Sequence, residues 1–289
     1  MLSRGIISLV SKVLARLKSN LLKRESFKTE EDFKKVQELL NYPSDFQTKV
    51  KQLIPDSEWD YKNQGKDWGD LCPIGNEQSP TSLHCQEAFK SSQIFNYQYY
   101  PLKFNYSPTL VKGEFTKSVY IVRGEFGTME VTTEAQAKRN FEAVQFHFHA
   151  PAEHELDGNL HDLELHLVHR DPQEKDISTV VGFMFKLSQE ENPFIEQSIN
   201  CHTETKPVDL NLLFGKNPEV LMYKGSLTTP PCTEGILWFL SSKILPINKA
   251  QLKFFTEKWA ENPAFAGGKG NNREVLPLNN RPVIHFDKF

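Results

Sequence analysis

From Trp59 onward the chain is a succession of short apolar runs separated by turns. The clearest are Ser118 to Val122, Phe141 to His149, Leu163 to Val168, Thr179 to Leu187 and Ile236 to Ile244. Their length and spacing predict β-strands, several of them buried on both faces. Helical spacing is confined to Pro193–Asn200, Pro207–Phe214 and Lys249–Trp259, and Ala266-Gly-Gly-Lys-Gly-Asn-Asn reads as a loop. No internal repeat or low-complexity tract interrupts this texture.

The first 58 residues have a different pattern. Ile6, Leu9, Val10, Val13, Leu14, Leu17 and Leu21 recur at helical spacing within a stretch that carries six Lys and Arg and no acid before Glu25. Ser11 and Lys12 cut its apolar core too short for a secretory signal. A basic, amphipathic, acid-free segment over residues 1–24 is the pattern of a mitochondrial presequence, with a helix lying on an anionic membrane as the alternative. Residues 25–58 read as a helical extension. Thr29 with Asp32, then Ser44 with Gln47, resemble capping boxes, each followed by one apolar stripe: Phe33, Val36, Leu39 and Leu40, then Phe46, Val50, Leu53 and Ile54. Such a pair could pack on the main domain or dock a partner. Residues 59–289 form the third unit.

Composition adds little. A 289-residue chain with 38% hydrophobic and 25% charged residues is globular, and a net charge of −3 gives no reason to expect nucleic acid. No apolar run is long enough to span a bilayer as a helix. The four cysteines, Cys72, Cys85, Cys201 and Cys232, lack the close spacing of a thiolate zinc site, and spacing alone cannot choose among their pairings.

The histidines change the picture. In Gln145-Phe-His-Phe-His149 the strand period places Gln145, His147 and His149 on one face and both phenylalanines on the other. Glu164-Leu-His-Leu-Val-His169 repeats the alternation, with Glu164, His166 and Val168 sharing a face. Pro151, Asp157-Gly158 and Asn159 supply turns that return the chain antiparallel, so His166 can stand beside the first pair. Three neutral imidazoles with an open fourth position describe a catalytic rather than a structural zinc site. Gln145 and Glu164, two residues from a ligand, can accept the second ring N–H. A His-x-His pair alone is more often a solvated or core pair, and His154, His161 and His169 show that histidine density proves little.

Over about 230 residues the chain resembles the α-class carbonic anhydrases. The matching strings are Gln78-Ser-Pro80, Gln145 to His149, Glu153-His154, Glu164 to His169, Gly225-Ser-Leu-Thr-Thr-Pro-Pro231, and Asn271-Asn-Arg273 before Pro277-Leu278. The resemblance implies a mainly β domain around a large, mostly antiparallel ten-stranded sheet, and zinc held by His147, His149 and His166. It implies reversible hydration of carbon dioxide to bicarbonate, with zinc-bound hydroxide as nucleophile. Thr228 falls on the residue that orients that hydroxide and Glu153 on the carboxylate behind it. Gln145, Glu164 and the backbone carbonyl of Asn271 fall on positions that orient the ligands. Val168, Val180, Leu227 and Trp238 fall on the carbon dioxide wall, with Thr229 beside it. Cys72 and Cys232 match a disulfide found in many secreted relatives, leaving Cys85 and Cys201 unpaired.

A disulfide implies an oxidising compartment. Set against the N-terminal pattern it favours the mitochondrial intermembrane space, with the secretory pathway as the alternative. The pattern is not complete. Relatives carry a proton-shuttling histidine at the cleft rim, where this chain places Ser118 or a neighbour and has no histidine between His84 and His147. Ala150 replaces a common aromatic and Leu276 a common glutamine. A second functional reading is a zinc-binding accessory subunit of a mitochondrial membrane complex, docked through residues 1–58. A zinc esterase is a weaker third.

Overall fold

The computed structural model describes residues 59–90, 102–132, 138–173, 177–215 and 218–286. The expected presequence and helical extension lie outside the described residues. Twelve strands form one sheet: β1 (Phe89–Lys90), β2 (Leu102–Tyr106), β3 (Gly113–Phe115), β4 (Tyr120–Arg123), β5 (Gly127–Thr132), β6 (Lys138–His149), β7 (Leu163–Arg170), β8 (Ile177–Ser188), β9 (Val220–Ser226), β10 (Glu234–Ser241), β11 (Leu245–Asn248) and β12 (Ile284–Phe286). Their order is β1-β12-β9-β10-β8-β7-β6-β4-β3, with β11 beside β8 and β2 reaching β6 through β5. Pairing is mostly antiparallel, with parallel contacts at β8–β10, β8–β11 and β12–β1.

Among the described residues the sheet has twelve strands, where the resemblance implies ten. Two short strands share one edge of each long strand: β4 and β5 along β6, β10 and β11 along β8. Turns at Gly124–Phe126 and Ser242–Ile244 break those partners where the long strands run on. Every predicted strand run lies in an observed strand, apart from ends that shift by a few residues. The helices α1 (Pro193–Asn200) and α2 (Lys249–Ala260) also follow the sequence pattern, capped by Asn192 and Asn248. The third predicted helix does not form. Lys206–Val208 pairs with Thr109–Val111 as a small sheet, and only Leu210–Leu213 turns, as a 3₁₀ segment capped by Asp209. Val208 and Leu210 are both buried by this strand-then-turn path; two residues apart, they would point to nearly opposite sides of a helix.

The two faces of the sheet diverge as the strand period predicts. Phe146 and Phe148 enter the main core with Leu165, Leu167, Phe183 and Phe255. The opposite face carries a second apolar cluster containing Val168, Val180, Tyr223 and Trp238. Between β6 and β7 the chain makes the expected turn at Asp157 and Gly158, whose φ values of 48° and 74° both lie in the left-handed region. The resulting hairpin, Glu155–Leu156 with Asn159–Leu160, pairs with Ser82–Leu83 and folds over the end of the ligand strands.

His169 points into the main core, where its Nε2 lies 2.7 Å from the Tyr106 hydroxyl. Burial pushes its pKa from 6.5 down to about 3. Between those two values the unfolded chain binds a proton that the native chain refuses, so acid removes stability by about 1.4 kcal/mol per pH unit for this group. Urea unfolding between pH 4 and pH 6.5 is expected to show a slope shallower by about one proton in His169→Gln, which retains a polar partner for Tyr106. An unchanged slope would place the titration elsewhere.

Candidate metal centre

Register alone brings the histidines together. β6 and β7 pair with His147 opposite His166, and Glu164 opposite His149, so all four side chains stand on one face. Ring centroids of the three histidines lie 4.6–5.2 Å apart. One nitrogen from each falls within 4.8 Å of the others.

Second partners decide which nitrogen each ring offers. His147 Nδ1–H donates to Gln145 Oε1 at 2.9 Å, and His149 Nδ1–H donates to the Asn271 carbonyl at 2.7 Å, leaving both Nε2 atoms free. His166 Nε2–H donates to Glu164 Oε1 at 2.8 Å, leaving Nδ1. His149 Nε2 is buried and has no hydrogen-bond partner. A buried lone pair left unpaired is costly, and a metal ion is the group that would satisfy it. Burial, reinforced by the neighbouring imidazoles, pulls His147 well below its ordinary pKa and His149 down to about 3; burial also lowers His166, against the pull of Glu164. All three are neutral and ready to ligate at physiological pH. The donor set of three imidazoles fits zinc with an open position.

The supporting carboxylates differ in character. Glu164 has no exposed surface, and burial would raise its pKa, but His154 and His166 overcome this and hold it well below the usual range. It accepts from the backbone N–H groups of Glu153 and His154, from His154 Nδ1 and from His166 Nε2. Glu153 is raised by burial, while the Thr228 hydroxyl and the Arg273 N–H, 2.7 Å from Oε1, act to lower it. Its Oε2 lies 4.0 Å from His166 Nδ1 and makes no fully formed hydrogen bond. His154, Glu164 and His166 also cluster within ligand distance, but Glu164 Oε1 already receives both imidazole N–H groups, so this cluster orients and does not bind a second cation.

The remaining sequence-predicted residues fall around this group. Val168, Val180 and Trp238 are buried in one apolar cluster with Leu227 packed on its edge, and the Trp238 ring lies 4.8 Å from that of His166. Thr228 and Thr229 sit in a loop closed by Leu227 N–H to Thr233 and Cys232 N–H to Thr229. Cys72 and Cys232 form the expected disulfide across 160 residues of sequence. Cys85 and Cys201 are free. Arg273 donates to the carbonyls of Cys72 and Ser79 and to Gln78, tying the disulfide to the site.

A model of the eukaryotic-type carbonic anhydrases matches residues 57–287. The chain belongs to this family. Curated relatives include a carbonic anhydrase of Nostoc sp., 31% identical over 75% of this chain and 81% of that one, and one of Neisseria gonorrhoeae, 30% identical over 79% and 88%. Among solved structures, the α-carbonic anhydrase of Thermovibrio ammonificans with sulfanilamide is similar at 30% identity and a TM-score of 0.57, covering 74% of this chain and 89% of that one. Dioscorin complexed with ascorbate is similar at 25% identity and a TM-score of 0.64, covering 81% and 99%.

Several supporting residues escaped the sequence reading. His154 was visible only as part of a matching string, yet it joins Glu164 to Tyr223, whose hydroxyl lies 2.6 Å from His154 Nε2 and 2.7 Å from Ser79 Oγ. Gly270 stands in the predicted loop Ala266-Gly-Gly-Lys-Gly-Asn-Asn. A Cβ there would stand 2.3 Å from the Ala150 carbonyl, so only glycine lets the loop close against the residue after His149. The Asn271 side chain completes that closure, accepting from Ala150 N–H and donating to the carbonyls of Ser118 and Phe148.

Purified protein is expected to bind a single zinc per chain by elemental analysis, with the metal lost in His149→Ala. Replacing Cys72 and Cys232 by alanine is expected to lower unfolding free energy by about 5 kcal/mol, from the chain entropy a loop of this size regains. A stability unchanged by that replacement would show the bridge to be absent in solution.

Proposed function

We propose that the protein hydrates carbon dioxide reversibly to bicarbonate with zinc at His147, His149 and His166. The observation that carries this reading is the convergence of three oriented imidazole lone pairs beside Glu153 and an apolar wall. When bound, zinc brings the pKa of a coordinated water to about 7, a value established on carbonic anhydrase itself, and so supplies a nucleophile at neutral pH. The protein's own residues do the rest. Thr228, when its hydroxyl donates to the Glu153 carboxylate, has only lone pairs to offer toward the attacking oxygen, and this fixes the direction of attack. Glu153 must be ionised for that purpose, and the Arg273 N–H and a nearby dication both favour the ionised form against its burial. Val168, Val180, Leu227 and Trp238 provide an apolar wall suited to an uncharged, weakly held substrate. Thr229 lies beside them.

Membership of the family, the histidine cluster and the intact Thr228–Glu153 pair support catalysis. A second reading, a zinc-binding accessory subunit docked through residues 1–58, is supported by the length of chain that precedes the family match at residue 57.

Stopped-flow hydration of carbon dioxide by the full chain is expected to show a zinc-dependent rate abolished by a sulfonamide. Absence of that rate leaves the accessory reading. Thr228→Ala and Glu153→Gln are each expected to lower kcat/KM on the order of 10²-fold, the effect of losing nucleophile orientation. Without a rim histidine, turnover is expected to rise with imidazole buffer concentration, since a positioned proton-transfer group contributes about 10²–10⁴-fold. Equal turnover in weak and strong imidazole would count against a missing shuttle.

A further inference from the structure

Arg273 is buried, and its guanidinium donates to three neutral acceptors: Gln78 Oε1 at 3.0 Å, the Ser79 carbonyl at 2.7 Å and the Cys72 carbonyl at 3.0 Å. It lies over Trp68, 5.6 Å from the ring centroid. These contacts satisfy its donors without cancelling its charge, and a buried cation without a counter-ion is costly. Burial brings its pKa down to about 10, and Glu153 is foremost among the groups that oppose the fall. The backbone N–H of the same residue holds Glu153 Oε1 at 2.7 Å. Arg273 therefore meets Glu153 twice, once through its main chain and once through its charge.

These contacts belong to a closed circuit. From Glu153 it runs through Arg273 to the Cys72 carbonyl and across the disulfide to Cys232. Cys232 N–H donates to the Thr229 carbonyl at 2.8 Å, and Leu227 N–H donates to the Thr233 carbonyl at 2.9 Å, so Cys232 stands at the base of the turn that carries Thr228. The Thr228 hydroxyl returns the circuit to Glu153. Gln78 braces it from inside, accepting from Arg273 and donating from Nε2 to the Cys232 carbonyl at 3.0 Å. Glu153 follows β6 and Thr228 follows β9, and the bond between them is only as well aimed as the two turns that carry it.

We propose that Arg273 is a positioning residue that fixes Glu153 relative to the Thr228 turn, by joining it through Cys72 and Gln78 to the same disulfide-braced corner. The kinetic consequence rests on the catalytic reading, because what Arg273 sets is the aim of the Thr228 hydroxyl. The fork of a guanidinium is needed for this. A lysine ammonium would keep the charge but could not span acceptors on both Cys72 and Gln78.

Two readouts test it. In stopped-flow hydration, Arg273→Lys is expected to lower kcat on the order of tenfold, with KM and zinc content unchanged, as loss of orientation requires. In Glu153→Gln, where the positioned group is already lost, the same substitution is expected to change kcat by less than about twofold. Equal losses in the two backgrounds would overturn the proposal. The second readout needs no turnover. Arg273→Lys is expected to speed amide exchange of Leu227 and Cys232, to which its side chain makes no bond, by about tenfold. Joint replacement of Cys72 and Cys232 by alanine is expected to do the same to the Arg273 amide. Arg281→Lys alters another buried guanidinium, one that donates to the carbonyls of Gln78, Lys224, Pro277 and Leu278, and is expected to leave these amides unchanged. Exchange unaffected by Arg273→Lys, or equally affected by Arg281→Lys, would overturn the proposal. If the unaltered chain shows no zinc-dependent rate, the catalytic reading alone fails, and exchange still decides whether Arg273 couples the two turns.

Discussion

The arrangement around the histidines depends on one buried charge. Glu164 has no exposed surface, yet it remains ionised because four donors converge on it: two backbone N–H groups from Glu153 and His154, and the ring N–H groups of His154 and His166. Removing any donor would leave part of a buried carboxylate unpaired, which is among the more costly events in a protein interior. The charge therefore fixes three things together. It sets the tautomer of His166, it holds the turn that presents Glu153, and it anchors the His154–Tyr223–Ser79 chain that reaches the strand leading to Thr228.

Glu153, in the turn after β6 whose backbone N–H Glu164 holds, is pushed in the opposite direction. Burial raises it, and the repulsion of Glu164 adds to that rise. Two carboxylates side by side thus have separate tasks set by environment. One is saturated with donors and acts as a fixed anion. The other keeps Oε2 without a full partner, 4.0 Å from the nitrogen that His166 offers. A group poised in this way responds to a cation or a donor placed beside it, which is what its position next to Thr228 and the histidines allows.

Much of this was legible in the sequence because strands encode faces directly. The period of two in Gln145-Phe-His-Phe-His149 placed ligands and core on opposite sides, and the observed register of His147 against His166 follows once the turn returns the chain. The Pro207–Phe214 stretch misled for a related reason: its apolar spacing suits a helix, but tertiary pairing of Val208 with Thr109 took the first residues into a strand. The supports from afar were not readable from periodicity. Asn271 acts on His149 through a main-chain carbonyl, an atom every residue has, and Arg273 presents a backbone N–H to Glu153. Such contacts leave no side-chain signature. Only the family strings pointed to Asn271, and Gly270 beside it became meaningful when the closeness of the Ala150 carbonyl was seen.

The same register explains the chain's weakness as a proton conductor on the proposed reading. The residue facing His147 from β4 is Ile121, and the next one on that face is Arg123. Across Ile121 stands Glu114, which Arg123 engages as an ion pair. Ser118, at the position expected for a shuttle, contributes its carbonyl to Asn271, and a serine hydroxyl does not titrate near neutrality. Among the described residues, the side of the cleft formed by β3 and β4 therefore offers an aliphatic side chain, a surface ion pair and a hydroxyl, and no histidine. Catalysis here would hand its proton to solvent buffer, and the rate would follow what that buffer can accept.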